Sequence, residues 1–212
     1  MTEIDKPKHV VILCHPESES FNASIAKAYC AAVEQSGQQA ILRDLYRMDF
    51  DPVLKANEQP TSPTFSVSPH VAHELDLIAD AAFVVFIYPV WFGTAPAMLK
   101  GYIERVLGSG ISYRAMHEQS TTALSGTHLL SLTTSGNSRT WIEGRENWES
   151  VLKVSDQYLQ QAFSMASCEH VHFSAIEDGL SEALGQHHIE DARQAAKKAC
   201  AVAEEEHRHR HR

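Results

Sequence analysis

His9-Val-Val-Ile-Leu-Cys14-His-Pro-Glu-Ser-Glu-Ser-Phe-Asn22 decides the fold. Its first six residues are a continuous, β-branched apolar run without polar alternation, the pattern of a parallel strand buried on both faces. Six of the next eight are polar, and Ser20-Phe-Asn22 supplies N-cap candidates for a helix from about Ala23 to Gln35. Ile25, Ala26, Tyr29, Cys30 and Val33 fall on one face of that helix, and Gly37 is placed to end it. Strand, polar crossover loop and amphipathic helix are the opening of a βαβ unit.

The same alternation continues along the chain. Gln39 to Leu45 reads as a second strand, Val71 to Ala81 as a helix, and Ala82-Phe-Val-Val-Phe-Ile-Tyr88 as a third strand. Pro96 suits the first turn of a helix whose apolar face is Leu99, Tyr102, Ile103 and Val106. Thr127 to Thr133 is a fourth strand, Trp148 to about Met165 a helix, His170 to Ala175 a fifth strand, and Ile189 to Glu206 a closing helix. Asp51 to Pro69 holds four of the eight prolines and reads as a surface excursion, because the pattern resumes unchanged after it. Five strands with right-handed helical crossovers predict one three-layer α/β domain over residues 1–206, followed by a solvated His/Arg tail, 207–212.

Composition narrows the partners. The chain has 212 residues, with 27 acidic against 18 basic and a net charge of −9. The tail supplies three arginines, so residues 1–206 carry 15 basic residues and a net charge of −12. That balance argues against a protein that coats nucleic acid or an anionic membrane. The best apolar run, Ala79 to Val90, falls short of the roughly 18–20 residues of a membrane span, so no membrane insertion is expected. Met1-Thr-Glu-Ile-Asp-Lys-Pro-Lys8 has no apolar core of a secretory signal, and Cys14, Cys30, Cys168 and Cys200 include no CxxC pair. Both features predict a cytoplasmic protein with reduced thiols.

Open sheets of this kind bind ligands beyond the carboxyl ends of their strands, where the strand order reverses. Several chemistries are excluded there. No GxGxxG follows the first strand, no GxxxxGK[ST] exists, and Gly108-Ser-Gly-Ile-Ser112 has the wrong order for a nucleophile elbow. Ser24-Ile-Ala-Lys27 matches SxxK without its companion motifs. Cys14 and His15 point to opposite sides of a strand end, so they make no dyad. His70-Val-Ala-His73 and His170-Val-His172 have same-face spacing but no third ligand nearby, so exposed histidines are expected and no metal. Cys14-His15 and Tyr88-Pro89 stand where a phospho-acceptor receiver would need acids.

Three loops remain. The first, His15 to Asn22, combines serine hydroxyls, Asn22 and a helix N-terminus, an anion site suited to phosphate, provided that Glu17 and Glu19 point outward. An ordinary capped helix start is its competing reading. The third-strand loop, Tyr88-Pro-Val-Trp-Phe-Gly-Thr-Ala-Pro96, places Trp91 and Phe92 at the binding edge, where a flat ligand would cover them unless a neighbouring loop does. The fourth-strand loop, Thr133-Thr-Ser-Gly-Asn-Ser138, offers small polar donors. Phosphate donors, an aromatic wall and polar donors describe a pocket for a phosphorylated heteroaromatic ring such as flavin mononucleotide.

Val11-Ile-Leu-Cys-His-Pro-Glu-Ser-Glu-Ser-Phe-Asn22, Asp44-Leu-Tyr46, Asp49-Phe-Asp-Pro52, Pro89-Val-Trp-Phe-Gly93, Pro96-Ala-Met-Leu-Lys-Gly-Tyr-Ile-Glu-Arg105 and Leu132-Thr-Thr-Ser-Gly136 together resemble the flavodoxin-like NAD(P)H:quinone oxidoreductases, the DT-diaphorase family. The resemblance runs from about His9 to the closing helix. It implies a flavodoxin-like three-layer sandwich with strand order 2-1-3-4-5, a bound flavin and a homodimer with active sites at the subunit interface. By position, His15, Ser20, Phe21 and Asn22 would hold the phosphate side of the flavin. Pro89, Val90, Trp91 and Phe92 would lie along the ring, backbone N–H groups freed by Gly93 would meet its polar edge, and Thr133, Thr134, Ser135 and Gly136 would contact that edge. Trp141 would join the ring sandwich, and Tyr113, Met116 and His117 would line the substrate pocket from the partner subunit.

The chain departs from the family after the fourth strand. Where mammalian members place a Tyr and a His that relay a proton, it has Trp141 and Asn147, neither of which is a general acid or base. No catalytic side chain is assigned, because the flavin carries the hydride chemistry. The expected activity is two-electron, ping-pong hydride transfer from NADPH or NADH through FMN to a quinone-like acceptor. The short chain favours FMN, with FAD still compatible. The rival expectations are a regulatory flavin- or nucleotide-binding subunit of a potassium-efflux system and a one-electron flavodoxin-type carrier.

Overall fold

The computed structural model describes residues 6–59, 61–110, 124–136, 153–177 and 179–210. Five strands, β1 (Lys8–Leu13), β2 (Gln39–Asp44), β3 (Phe83–Pro89), β4 (His128–Thr134) and β5 (Ser167–Phe173), form one parallel sheet in the order β2-β1-β3-β4-β5. This is the flavodoxin-like arrangement, with its order reversing beside β1. Helices α1 (Phe21–Gln35), α2 (Pro69–Ile78), α3 (Ala97–Tyr102), α4 (Tyr158–Ala162) and α5 (Glu182–Arg210) cover both faces. A π-helical turn, Ile103–Leu107, extends α3 to Gly108–Gly110, and another, Lys153–Gln157, leads into α4.

Strand alternation divides the core into two layers. Val10, Ile12, Val84, Phe86 and Tyr88 pack on one face against Val71, Leu99, Tyr102 and Leu159. Val11, Leu13, Val85, Ile87, Leu130 and Leu132 pack on the other against α1 and α5. Ala192, Ala196, Ala199 and Ala203 give α5 a narrow face that lets it lie close on the sheet and α1. Ser20 caps α1 by accepting the Ala23 N–H at 3.3 Å, and Gly37 ends it at φ +81°. The closing helix starts earlier than Ile189: Ser181 Oγ accepts the Leu184 N–H at 3.3 Å, and the helix runs from Glu182 through the first four tail positions to Arg210.

The excursion between β2 and α2 is locked down rather than loose. Arg105 Nε donates to Glu58 Oε2 at 2.7 Å and its terminal nitrogen to Glu58 Oε1 at 2.6 Å. A further guanidinium nitrogen donates to the Asp51 carbonyl. Gly101 allows α3 to press on Pro52, since a Cβ there would overlap the Pro52 carbonyl and side chain. This clamp seats α3, and with it the loop that joins α3 to β3.

At the opposite, amino-terminal end of the sheet, His9 is buried between Tyr29 and Gln38, at 2.9 Å from each, and stacks on Phe83 at 5.1 Å. Burial pushes its imidazole down to about 4, against the opposing hydrogen bond from Gln38. The unfolded chain takes up this proton near pH 6.5 whereas the folded chain refuses it until about pH 4. His9 therefore supports folding above about pH 6.5, and up to about 3 kcal/mol of stability is lost as pH falls between those values. Urea melts at stepped pH are expected to show this slope, and His9→Gln is expected to flatten it.

Candidate active site

Three loops meet at the carboxyl edge of the sheet, where β1, β3 and β4 end together: Leu13 pairs with Ile87, and Pro89 with Thr134. Helix α1 begins directly behind β1, so its first N–H groups face this edge. The first four N–H groups of a helix lack an intrahelical acceptor. Ser20 takes that of Ala23, which leaves Phe21 and Asn22 to offer theirs. Glu17 and Glu19 are both exposed, as an anion site requires. Asn22 is 2% exposed; its Oδ1 accepts the Thr134 hydroxyl at 3.0 Å, while its Nδ2 has no hydrogen-bond partner among the described residues. A buried, unsatisfied amide costs about 1–3 kcal/mol, and an anionic ligand would satisfy it.

The β3 loop makes a tight turn. Trp91 and Thr94 exchange backbone hydrogen bonds of 3.0 and 3.1 Å, with Phe92 at φ +51° and Gly93 at φ +79° between them. Positive φ at both central residues is a type I′ requirement that a glycine meets freely and a phenylalanine does not. Holding Phe92 there costs on the order of 1–3 kcal/mol. The turn thrusts Phe92 fully into solvent and leaves Trp91 39% exposed. No neighbouring loop among the described residues packs over Phe92. His15 tilts against Trp91 with ring centroids 5.8 Å apart, joining the first and third loops, and Val90 N–H donates to the Thr134 carbonyl at 2.8 Å, joining the third and fourth. Phe92→Gly is expected to raise the melting temperature of the flavin-free protein by about 2–4 °C and to weaken its hold on flavin.

Cys14 is buried, and burial pushes its thiol up to about 12, so it forms no nucleophilic pair with His15. His15 Nδ1 instead accepts the Glu17 N–H at 3.0 Å. Pro89, Val90, Trp91, Phe92, Gly93, Thr133, Thr134, Ser135 and Gly136 stand along the same edge as His15, Ser20, Phe21 and Asn22. Tyr113, Met116, His117, Trp141 and Asn147 lie outside the described residues.

One expectation fails. His170 and His172 are not simply exposed histidines: the His170 side chain is 6% exposed and His172 is half-buried, and both sit in a polar network. Asp156, 2% exposed, accepts the Ser131 hydroxyl at 2.9 Å and lies 2.5 Å from His170 Nδ1. His170 Nε2 is 2.7 Å from Thr133 Oγ1, which is 2.9 Å from His172 Nδ1. His172 Nε2 is 2.9 Å from Ser135 Oγ. The signal that could have found this network is the shared period of two: Ser131 and Thr133 pair with His170 and His172 across the β4–β5 ladder.

A family model described as a flavodoxin-like fold matches residues 7–200. An uncharacterized NAD(P)H oxidoreductase of Haemophilus influenzae is 32% identical over 130 residues, 61% of this chain and 64% of that protein. NAD(P)H dehydrogenase (quinone) 1 of Rattus norvegicus is 32% identical over 148 residues, 60% of this chain and 53% of that protein. The matched stretch thus spans less than two thirds of either relative. Among solved structures, an NAD(P)H:quinone oxidoreductase from Methanothermobacter marburgensis has a TM-score of 0.76 at 22% identity, covering 90% of this chain and 94% of that one. An FMN-dependent NADH-azoreductase from Bacillus anthracis, solved with FMN, has a TM-score of 0.63 at 15% identity, covering 92% and 99%. At these identities the structural likeness is one of fold.

Proposed function

The chain belongs to the flavodoxin-like fold family, and from that premise we propose that it is a flavin-dependent NAD(P)H oxidoreductase that reduces quinone-like acceptors by ping-pong, two-electron transfer. FMN is the preferred flavin. The observation that carries this reading is the pairing, at one sheet edge, of a strained and exposed aromatic turn with a helix start whose buried Asn22 amide lacks a partner among the described residues. The names of the relatives in rat and Haemophilus influenzae and the FMN held by the azoreductase of similar fold support it.

The residues present fit such a group. The Phe21 and Asn22 N–H groups, the Asn22 amide and the Ser20 loop suit the phosphate, so neutral donors hold an anion within an acidic chain. Trp91 and Phe92 offer an apolar face to the ring, and the Thr133 to Gly136 segment offers hydroxyls and N–H groups to its polar edge. When bound, the flavin supplies the hydride-accepting and hydride-donating chemistry. The protein's task is to fix the ring and leave one face open for NAD(P)H and acceptor in turn. We place the protein in the cytoplasm as a homodimer, with the Tyr113 to His117 segment serving the partner's site. No helix among the described residues is long and apolar enough to cross a membrane.

Anaerobic addition of NADPH or NADH to the FMN-loaded protein is expected to bleach the flavin absorbance, and a quinone is expected to restore it. Reciprocal plots against both substrates should be parallel. A loaded protein that neither nucleotide bleaches would contradict the proposal.

A further inference from the structure

Strand alternation sends neighbouring residues of β4 to opposite layers. Leu130 and Leu132 pack with α1 and α5, and Thr134, two positions on, continues that face. Ser131 and Thr133 turn the other way, toward Asp156, His170 and His172. Thr134 is therefore the residue at the carboxyl end of β4 whose side chain meets the start of α1. It is buried, and its hydroxyl donates to Asn22 Oδ1 at 3.0 Å, joining residues 112 positions apart.

That donation decides which end of the Asn22 amide is left over. A hydroxyl giving its proton to Asn22 needs the carbonyl oxygen there, so the amide nitrogen is the end kept for a ligand. Nδ2 is indeed the end without a hydrogen-bond partner among the described residues. The flipped amide would offer a carbonyl oxygen to an anion and deprive the Thr134 proton of its acceptor, both at a cost. Orientation counts for more here because the cradle is neutral. Ser20, the Phe21 and Asn22 N–H groups and the Asn22 amide carry no charge, and Lys27, the one basic residue of α1, is exposed and lies 3.9 Å from Glu19. Backbone and side chain of Thr134 have separate tasks. Its carbonyl accepts the Val90 N–H at 2.8 Å, fixing the start of the aromatic turn, and that bond does not involve the hydroxyl.

We propose that Thr134 is a positioning residue for the flavin phosphate. Its hydroxyl holds the Asn22 amide with the nitrogen free to donate, and so sets the selectivity of the site for a phosphorylated flavin over riboflavin. This rests on the flavin reading, and it assigns the Thr134 hydroxyl to the phosphate end rather than to the polar edge of the ring. Without that hydroxyl, Asn22 Oδ1 loses its Thr134 donor and the amide is no longer held one way round. A phosphate then meets the carbonyl oxygen as readily as the nitrogen. Thr134 acts through Asn22 throughout; it makes no bond to the phosphate itself.

The test reads the ratio of the riboflavin to the FMN dissociation constant, because riboflavin has the same ring and no phosphate. Fluorescence titration of the flavin-free protein gives both constants. Thr134→Val, which keeps the shape and drops the hydroxyl, is expected to lower that ratio by at least about tenfold, the worth of a hydrogen bond to a charged group. Thr134→Ser, which restores the hydroxyl, is expected to recover most of it. In an Asn22→Ala background Thr134→Val is expected to lower the ratio no further, since its effect runs through that amide. A ratio that Thr134→Val leaves unchanged, whether both affinities fall together or neither moves, overturns the role. So does an additive loss in the Asn22→Ala background. Should Thr134→Val fail to fold by circular dichroism, Thr134→Ala against Thr134→Ser makes the same comparison. Wild-type protein that binds neither flavin refutes the flavin reading and this role with it, whereas wild-type protein that binds both equally tightly keeps a flavin site and refutes the role alone.

Discussion

Asn22→Asp is expected to weaken FMN binding by at least about a thousandfold, roughly 4 kcal/mol, while leaving the fold intact. The substitution exchanges the partnerless Nδ2 for an anionic oxygen in an almost isosteric side chain. Oδ1 still accepts the Thr134 hydroxyl, so the link between the first and fourth loops survives. The new carboxylate lies in the first turn of α1, where it can take the free N–H groups for itself. The phosphate then loses a charge-assisted hydrogen bond of about 1.5–3 kcal/mol and meets a like charge, which costs several more. Equilibrium dialysis with FMN measures the loss, and circular dichroism verifies the fold. Unchanged FMN affinity would remove Asn22 from the site.

Arg105→Ala is expected to lower the unfolding free energy by about 3–5 kcal/mol. Both partners of its pair with Glu58 are 2% exposed or less, and the Arg105 guanidinium holds the Glu58 carboxyl down to about 2. Removing the cation strands a buried carboxylate, with the Ser68 hydroxyl at 2.8 Å and the Lys55 N–H at 3.2 Å left among the described residues to solvate it. The Asp51 carbonyl loses its donor as well. Against a typical total of about 5–15 kcal/mol this is a large fraction. Replacing both partners by apolar residues, Arg105→Met with Glu58→Leu, is expected to recover most of the loss, since no buried charge is left alone. Urea unfolding of the two single variants and the pair measures the coupling. The excursion was readable as an excursion from its prolines; its attachment was not, because Glu58 and Arg105 lie 47 positions apart.

The sheet was legible because a parallel strand buried on both faces leaves a continuous apolar run; the runs at Val10 and Phe83 do so without interruption, and the one at Leu129 is broken only by Ser131. The loops were legible for the same reason: they are where those runs stop. The closing helix was placed too late. Gly185 and the polar Gln186-His187-His188 look like a break, but Gly185 sits where α5 crosses Phe21, and Ser181 supplies the cap before it. The histidines of β5 were misjudged on physical grounds too. Two residues at a strand spacing share a face, yet which face is covered depends on the helix laid over it. Asp156 reaches them from the turn leading into α4, a juxtaposition that no local spacing encodes.

The most direct test is a titration of flavin-free protein with FMN, followed by flavin fluorescence and absorbance. Stacking beside Trp91 is expected to quench the fluorescence with a saturable, one-per-chain endpoint and a Kd below about 1 µM, roughly −8 kcal/mol. Fluorescence that rises in simple proportion to added FMN, with no saturation at any protein concentration, would contradict a flavin site at this sheet edge.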